Sequence, residues 1–361
     1  MLRTVTTALA ALTMAAQGTA VAETVAPGWK VVNGVTIGSP ATALLDVSAT
    51  GPGQAWAAGY ACSAEDREGC GAIIRWNGSA WKQVKLPASF DVEHVEGISA
   101  GPAVWAVGNG TRPWAGHWNG SRWRGYTPLS TAAEDRLYDV AVSAGRPWAV
   151  GTRTGGKGVV LGWTAARGFY QAHATPGSLA AVTAGKGGIW AVGSTGDQPL
   201  ILRGGASGTG WKVSPVPSIP GGKLTRVWQG AGAEAWAVGY TGAALETSKP
   251  IALRFDGTAW RQVPVPVAKG RLSGLTADSS GTVWASGVDL SRGKQVLFLR
   301  YSGGALRASY SPVVLTREQR DYDHQTVTRT SITAIPGTGG LWAVAAAGGG
   351  DREMHAVLRY G

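Results

Sequence analysis

Cysteine, histidine and methionine are scarce in this sequence, which has 2 Cys, 5 His and 3 Met among 361 residues. The histidines are scattered along the chain, and no Gly-x-Ser-x-Gly motif precedes a predicted helix. No set of Cys and His residues shows the spacing of a metal site. The sequence therefore indicates no catalytic residues, no metal site and no cofactor.

Long hydrophobic runs are also missing beyond the first residues. The N-terminus holds Arg3, an apolar run over residues 8–16 and the small-residue motif Ala-Val-Ala at 20–22, an arrangement typical of a cleaved secretory signal peptide. We predict a signal peptide over residues 1–22 and one domain over 23–361. Because the apolar run is too short to cross a bilayer, we expect a secreted, extracellular protein without a membrane span.

The two cysteines predict a local crosslink. Cys62 and Cys70 lie close together in the sequence, and an exported chain meets an oxidising environment. We predict a disulfide between them, which in the chain-entropy model contributes about 2–3 kcal/mol to stability. A metal site is the weaker alternative, since no nearby His completes a ligand set.

Glycine and tryptophan are abundant, with 55 Gly, and 17 Trp against 4 Phe. Many of the tryptophans belong to a repeated strand of the form Trp-Ala-Val-Gly. A repeat period in the forties with about four short strands per unit is typical of a β-propeller. We predict an all-β fold, a seven-bladed β-propeller. The seven copies of the strand centre on Trp56, Trp105, Trp148, Trp190, Trp236, Trp284 and Trp342.

Each repeat is predicted to form four strands. The first has two apolar residues three positions apart, such as Leu44 with Val47 and, in the seventh repeat, Ile332 with Ile335. The second holds the repeated Trp, and the third ends at an Asn-Gly, Asp-Gly or Ser-Gly turn. The seventh repeat stops after its third strand, and Trp-Lys-Val at 29–31 matches the missing fourth. We predict that this N-terminal strand completes the last blade and closes the ring.

The strand order assigns the loops to two faces. Turns between strands one and two, and between strands three and four, are short and regular. Loops between strands two and three, and connections between blades, lie on the opposite face, here called the variable-loop face. Irregular segments collect on this face at 61–71, 111–114, 241–250 and 316–330. Because binding residues are often found on such loops, we predict that this face is functional; neutral drift of surface loops is the alternative.

The formal net charge of +11 does not by itself indicate a nucleic-acid site. Many basic residues are predicted to occupy repeated positions on the third and fourth strands, around the outer wall. Charge spread in this way gives solubility and a diffuse attraction for polyanions, so we predict no nucleic-acid binding. The repeated residues are Lys30, Arg75, Lys82, Arg124, Arg203, Lys212, Arg254, Arg261, Arg300, Arg307 and Arg359.

Two tryptophans depart from the repeat. Trp114 follows Arg112 at the start of a third strand, and Trp228 follows the apolar pair of blade five, where we expect it to line the central channel. An exposed indole ring can stack on a sugar; packing between blades is the alternative for both. The predicted ligand contacts are Arg112, Trp114, Trp228, Tyr322, Asp323 and His324.

Carboxylates in two loops suggest a different class of function. Asp321 alternates with Asp323, and Asp351 precedes Glu353 and His355. Paired carboxylates serve acid–base chemistry or bind Ca²⁺; a solvated loop is the structural alternative. An extracellular hydrolase or lyase that uses these loop carboxylates is therefore the rival hypothesis.

The repeated unit also carries a resemblance. Its order of apolar pair, Gly-rich turn, Trp-Ala-Val-Gly, apolar-Arg-aromatic, Asn-Gly and Trp-Lys resembles secreted actinobacterial Trp-rich propellers along the whole mature length. The cadence at 179–182 and 189–192 is similar to that of the tectonin propeller lectins, which bind microbial surface glycans. Propellers of this form also resemble the lectin-like subunits of umbrella-type toxin particles.

These observations predict a secreted, non-enzymatic recognition module. Its partner is expected to be a cell-surface or cell-wall glycan, a protein in a secreted complex, or both. Binding would combine aromatic stacking with hydrogen bonds from Arg and Asp, and several copies in one complex would raise the avidity.

Overall fold

The computed structural model describes residues 28–35, 37, 41–62, 70–87, 89–128, 132–315, 326–348 and 353–361. These residues form seven four-stranded antiparallel sheets, with two short 3₁₀ turns at Leu245–Thr247 and Leu290–Arg292. The strands, in chain order, are β1 (Trp29–Val31), β2 (Ala41–Gly51), β3 (Gln54–Cys62), β4 (Gly71–Trp76), β5 (Trp81–Gln83), β6 (His94–Ser99), β7 (Val104–Asn109), β8 (Pro113–Trp118), β9 (Trp123–Tyr126), β10 (Arg136–Ser143), β11 (Arg146–Arg153), β12 (Lys157–Thr164), β13 (Gly168–Thr175), β14 (Ser178–Gly185), β15 (Gly188–Thr195), β16 (Gln198–Gly204), β17 (Lys212–Val213), β18 (Lys223–Gln229), β19 (Ala235–Thr241), β20 (Lys249–Phe255), β21 (Trp260–Val263), β22 (Gly270–Ala277), β23 (Val283–Asp289), β24 (Leu297–Ser302), β25 (Ala305–Tyr310), β26 (Thr326–Ala334), β27 (Leu341–Gly348) and β28 (Glu353–Tyr360).

The sheets are arranged as a closed ring. Blades one to six are the consecutive groups of four strands from β2 to β25, and blade seven combines β26, β27 and β28 with β1. The first strands of neighbouring blades contact one another all the way around and so surround the axis. The predicted closure is confirmed, because Trp29 pairs with Tyr360 and Val31 with Leu358. Trp29 also stacks on Phe298 of blade six, with ring centroids 3.5 Å apart.

The repeated Trp of each second strand lies in the core between blades. Trp56, for example, is fully buried, and Arg75 of the third strand lies opposite it in register with its guanidinium 5.1 Å from the ring centroid. Such a cation–π contact contributes about 0.5–1 kcal/mol at a partly exposed site. Four further blades repeat this Arg–Trp pair, and in blade two His117 stacks on Trp105 instead. The repeated arginines therefore serve packing as well as solubility.

The glycine of the Trp-Ala-Val-Gly strand is required by a bulge in the first strand. Each first strand carries a register shift, as between Leu44 and Asp46 in β2. The bulged backbone brings a carbonyl so close that a Cβ on Gly59 would lie 1.8 Å from the oxygen of Ala43. The equivalent glycines of blades two to six meet a carbonyl in the same way. Blade seven has Ala345 at this position, and there the shift occurs two residues earlier in the strand, between Val327 and Arg329.

The structure corrects the apolar pair predicted for blade seven. Ile332 pairs with Ala343, next to the repeated Trp, and so occupies the second apolar position of the other blades. Thr330 lies at the first position, and Ile335 follows the end of β26. The Thr330 hydroxyl is buried and lies 2.9 Å from the Ser286 hydroxyl of blade six. A polar contact between blades six and seven thus replaces an apolar one. A pattern of apolar residues does not predict such a contact.

Candidate functional site

A largely buried arginine crosses the centre of the ring. Arg226 on β18 of blade five lies 3.0 Å from Asp46 of blade one and 3.2 Å from Asp139 of blade three. Its Nε donates to the backbone oxygen of Ser273 in blade six at 3.3 Å. A buried charge is costly unless it is paired and hydrogen-bonded. All three nitrogens of Arg226 meet this condition, and one side chain joins four blades.

The two carboxylates also tie neighbouring blades together. Asp46 accepts hydrogen bonds from Ile98 N of blade two at 2.9 Å and from the Ser331 hydroxyl of blade seven at 2.7 Å. Asp139 accepts from Val182 N of blade four at 2.9 Å. Burial raises the pKa of Asp139 to about 6, although the charge of Arg226 acts in the opposite direction.

Another ion pair crosses the ring nearby. Arg329 on β26 of blade seven lies 2.8 Å from the carboxylate of Glu96 on β6 of blade two. Its other nitrogen donates to the Glu96 backbone oxygen at 3.3 Å. The three cross-channel ion pairs therefore join blades at the centre of the ring through charge, whereas the sheets around it are held by apolar packing.

A cavity of about 240 Å³ opens above these pairs on the variable-loop face. We call it the channel-mouth cavity. Arg226, Arg271 and Arg329 line it together with Tyr138 and Tyr240. The Arg271 guanidinium lies 4.2 Å from the centroid of the Tyr240 ring. The entrance to the channel is thus lined by cationic groups and aromatic rings.

A second cavity, of about 380 Å³, lies on the same face within blade two. Its lining includes Phe90, Asp91, Arg112, Trp114 and Tyr126. These residues come from the connection between blades one and two, from the loop before β8, from the start of β8 and from the end of β9. We call it the blade-two cavity, and it brings together two of the predicted contacts, Arg112 and Trp114.

Trp114 is placed differently from the exposed stacking ring that was expected. Its side chain is only 7% exposed, and its ring packs against Phe90 and Trp123 with centroids 5.5 and 6.4 Å apart. Gly116 leaves the space for this ring, because a Cβ there would lie 2.3 Å from it. The Trp114 Nε1–H has no acceptor among the described residues. A residue that lines the blade-two cavity therefore carries a buried hydrogen-bond donor that no described residue pairs.

The other predicted contacts are not brought into either cavity. Trp228 pairs in register with Trp236 and packs with the apolar residues between blades five and six; it is not part of the channel-mouth lining. Tyr322, Asp323 and His324 lie outside the described residues, as do the carboxylates Asp321 and Asp351. Their roles stay predictions.

Two further findings bear on the chemistry of this face. The disulfide between Cys62 and Cys70 is confirmed, with Cα atoms 5.0 Å apart, and it lies at the loop after the second strand of blade one. Its presence is consistent with an oxidising compartment. Over the described part of the chain, no group of three or more His, Cys, Asp or Glu side chains is placed to hold a metal ion, and no helix is long and apolar enough to cross a membrane.

The residues that cross the channel were missed by the sequence analysis, although a signal for them exists. The first strands of blades one, three and five read Leu-Leu-Asp-Val at 44–47, Leu-Tyr-Asp-Val at 137–140 and Leu-Thr-Arg-Val at 224–227. Each places one charged residue at the same position between the two apolar residues, and the charges are of opposite sign. Equivalent positions in a ring face one another, so this pattern predicts pairing across the axis.

Comparison with known proteins supports the fold. No protein-family model and no curated protein matches the sequence. Among solved structures, virginiamycin B lyase from Staphylococcus aureus matches with a TM-score of 0.64 at 13% identity, over 92% of this chain and 99% of that one. The U3-55K protein gives 0.58 at 12% identity over 92% and 98%, and the WD40 propeller domain of Doa1 gives 0.59 at 11% over 92% and 97%. At these identities the similarity shows the fold alone: the chain is a seven-bladed β-propeller.

Proposed function

We propose that the protein is a secreted, non-enzymatic recognition module that binds cell-surface glycans through its variable-loop face. The observation that carries the proposal is the blade-two cavity, where the unpaired Nε1–H of Trp114 is buried beside other aromatic rings. Ligand pockets are concave and mostly apolar, with a few polar groups that fix orientation. The blade-two cavity is concave and combines aromatic rings with polar groups in about equal measure.

The polar groups of this cavity suit a sugar. A buried donor left without an acceptor costs about 1–3 kcal/mol, and a ligand hydroxyl that accepts from Trp114 would recover part of it. Arg112 adds a charged donor at the rim, and the Asp91 carboxylate, which accepts from the Thr111 hydroxyl, adds an acceptor. Tyr126 is partly exposed and lines the same cavity.

The location of the unpaired donor matters more than its existence. The indole nitrogens of six other described tryptophans also lack an acceptor: Trp29, Trp56, Trp81, Trp123, Trp163 and Trp342. None of these six lines either of the two cavities. Of these seven tryptophans, Trp114 alone both lacks an indole acceptor among the described residues and lines one of the two cavities. The tectonin-like cadence of the repeats supports the same assignment, and a place in a multivalent secreted complex would compensate for modest affinity at one site.

A glycan array that includes bacterial cell-wall fractions tests the proposal. We expect selective binding that falls at least about tenfold, or about 1.4 kcal/mol, in Trp114→Phe and in Arg112→Gln. Trp81→Phe is the matched control, because Trp81 is also 7% exposed with an unpaired indole nitrogen but lies outside both cavities.

Three results would argue against the proposal. Absence of binding to every glycan would remove the lectin function. Equal loss in Trp114→Phe and Trp81→Phe would show that the substitutions act through the fold. Consumption of a glycan by the wild-type protein would favour the hydrolase or lyase alternative, and Asp323→Asn and Asp351→Asn would then identify the carboxylates.

A further inference from the structure

We infer that the channel-mouth cavity and the lysines beside it form a second binding site, which takes an acidic peptide segment of a protein partner. This site is separate from the blade-two cavity and does not depend on the proposed glycan binding. The charged groups of the cavity differ in whether other described residues already pair with them.

Of the three arginines in the cavity, Arg271 alone has no carboxylate partner among the described residues. Arg226 and Arg329 are paired across the channel with Asp46, Asp139 and Glu96. Arg271 instead donates to neutral acceptors, the Ser248 hydroxyl at 2.9 Å and the Ala243 backbone oxygen at 3.2 Å. Its positive charge is held in place by these bonds, and no carboxylate among the described residues pairs with it.

Exposed lysines continue the positive charge from the cavity onto blades five and six. Lys223 begins β18 and Lys249 begins β20, and Lys269 directly precedes β22; all three are exposed. The segments are joined by hydrogen bonds, because Gly270 N donates to Ser248 O at 2.8 Å. Arg292 and Lys294 follow in the loop after β23, and both are exposed.

Negative charge is sparse in the same segments. Over residues 214–223, 241–249, 264–271 and 289–296 the acidic residues are Glu246 and Asp289. Asp289 is 7% exposed and already accepts from the hydroxyls of Tyr310 and Ser291, at 2.7 Å each. These four segments therefore carry a local excess of positive charge, which attracts an anionic partner and speeds its association.

The cavity is better suited to a carboxylate than to a sugar. The Tyr240 ring, which a sugar would need for stacking, is covered by Arg271. The hydroxyls of Thr225 and Ser273 already donate within the protein, to Leu272 O at 2.7 Å and Thr330 O at 2.9 Å. The Arg271 guanidinium keeps N–H donors beyond those that bind Ser248 and Ala243, and guanidinium donors match the oxygens of a carboxylate. The cavity volume of about 240 Å³ admits a side chain or a chain end, and the lysines would contact the acidic residues that follow.

Fluorescence anisotropy with a labelled oligoglutamate peptide tests this site. Full-length protein is titrated into the peptide at low and at physiological ionic strength, with an oligoglutamine peptide of equal length as the ligand control. We expect the protein to bind oligoglutamate but not oligoglutamine. Binding of oligoglutamate should weaken by about tenfold in Arg271→Gln and by a smaller factor in the double variant Lys223→Gln/Lys269→Gln. Arg307→Gln is the matched charge control, because Arg307 is exposed on the outer strand β25.

Each alternative result has a clear meaning. If Arg307→Gln and Arg271→Gln weaken oligoglutamate binding equally, the interaction is a diffuse electrostatic attraction, and the proposed site is wrong. No binding of oligoglutamate, or tighter binding of an oligogalacturonate that Arg271→Gln abolishes, would overturn the assignment to a peptide. Thermal unfolding of every variant excludes loss through misfolding. The Trp114→Phe variant should bind oligoglutamate normally, so this test and the glycan test fail independently.

Discussion

The two regions of the variable-loop face that differ most are the centre of the channel and the blade-two cavity. Both contain arginine and aromatic side chains. At the centre, Arg226 and Arg329 are bonded to carboxylates of other blades, and Asp46 and Asp139 also accept from backbone or hydroxyl donors. In the blade-two cavity, the Trp114 donor has no partner among the described residues. Paired polar groups join blades at the centre, and we assign the unpaired donor of a residue in the cavity lining to a ligand.

Removing the central arginine should have the largest effect on stability. Arg226→Met leaves Asp46 and Asp139 buried without their counter-charge, so we expect a loss of about 3–5 kcal/mol in the free energy of unfolding. Urea unfolding at neutral pH measures it, with the exposed Arg307→Met as the control. A loss below about 1 kcal/mol would show that the cross-channel pairs do not hold the ring.

The pH dependence of stability should reveal the same centre. The pKa of Asp139 is raised to about 6 by burial, so the folded protein binds a proton there more tightly than the unfolded chain. That contribution is fully present below the unfolded pKa near 4 and is lost as the pH rises through 6. The Asp139→Asn variant has no carboxyl proton to lose there. Its free energy of unfolding relative to that of wild type should therefore rise by at most about 3 kcal/mol between pH 4 and pH 7.

Unfolding curves of both proteins at several pH values test this expectation. Taking the difference between them is necessary because His117, His173 and His355 have lowered pKa values, all mainly through burial, and destabilise the fold as the pH falls below about 6.5. A difference that is constant with pH would contradict the assignment to Asp139.

The bulge of each first strand provides a steric counterpart to these charges. Gly59→Ala places a Cβ against the Ala43 carbonyl, and overpacking of this kind costs about 1–3 kcal/mol. Ala345→Gly in blade seven, where the bulge is displaced, should cost less. Thermal unfolding distinguishes them; equal losses would mean that the bulge does not determine the residue.

The smallest change in stability is expected in the blade-two cavity. Trp114→Phe loses apolar contacts with Phe90 but also removes the unpaired donor, so the net change should stay within about 1 kcal/mol. Trp81→Phe should behave alike. Chemical denaturation measures both, and a loss of several kcal/mol in Trp114→Phe alone would place Trp114 with the structural residues of the centre.

Local patterns in the sequence predict the ring and the disulfide, because they depend on short-range spacing. The strand at 29–31 was identified because it supplies the motif missing from the last repeat, and Trp29 does pair with Tyr360. Contacts set by distant residues were less accessible. Arg226 and Asp46 lie 180 positions apart, and only the equivalence of blades connects them.

In the candidate site, too, local features were predictable from the sequence and contacts with distant residues were not. Arg112 and Trp114 were singled out because they depart from the repeat, and the structure places them in one cavity. The burial of Trp114 was not predictable from that departure, because it depends on Phe90 in the connection from blade one and on the space left by Gly116. The excess positive charge at Arg271 was not predictable from the sequence for a related reason. It depends on which arginines are neutralised by carboxylates from other blades.

The contrast between the paired centre and the blade-two cavity is tested most directly by the ¹H–¹⁵N spectrum of the tryptophan indole groups. The spectrum is recorded during titration with a glycan fraction that binds. Trp114→Phe and Trp81→Phe each remove one resonance and so assign the two signals. We predict that the Trp114 Nε1–H resonance shifts as its proton gains an acceptor, while the Trp81 resonance stays in place. A Trp114 signal that does not move at saturation would contradict the claim that its unpaired donor is the point of recognition.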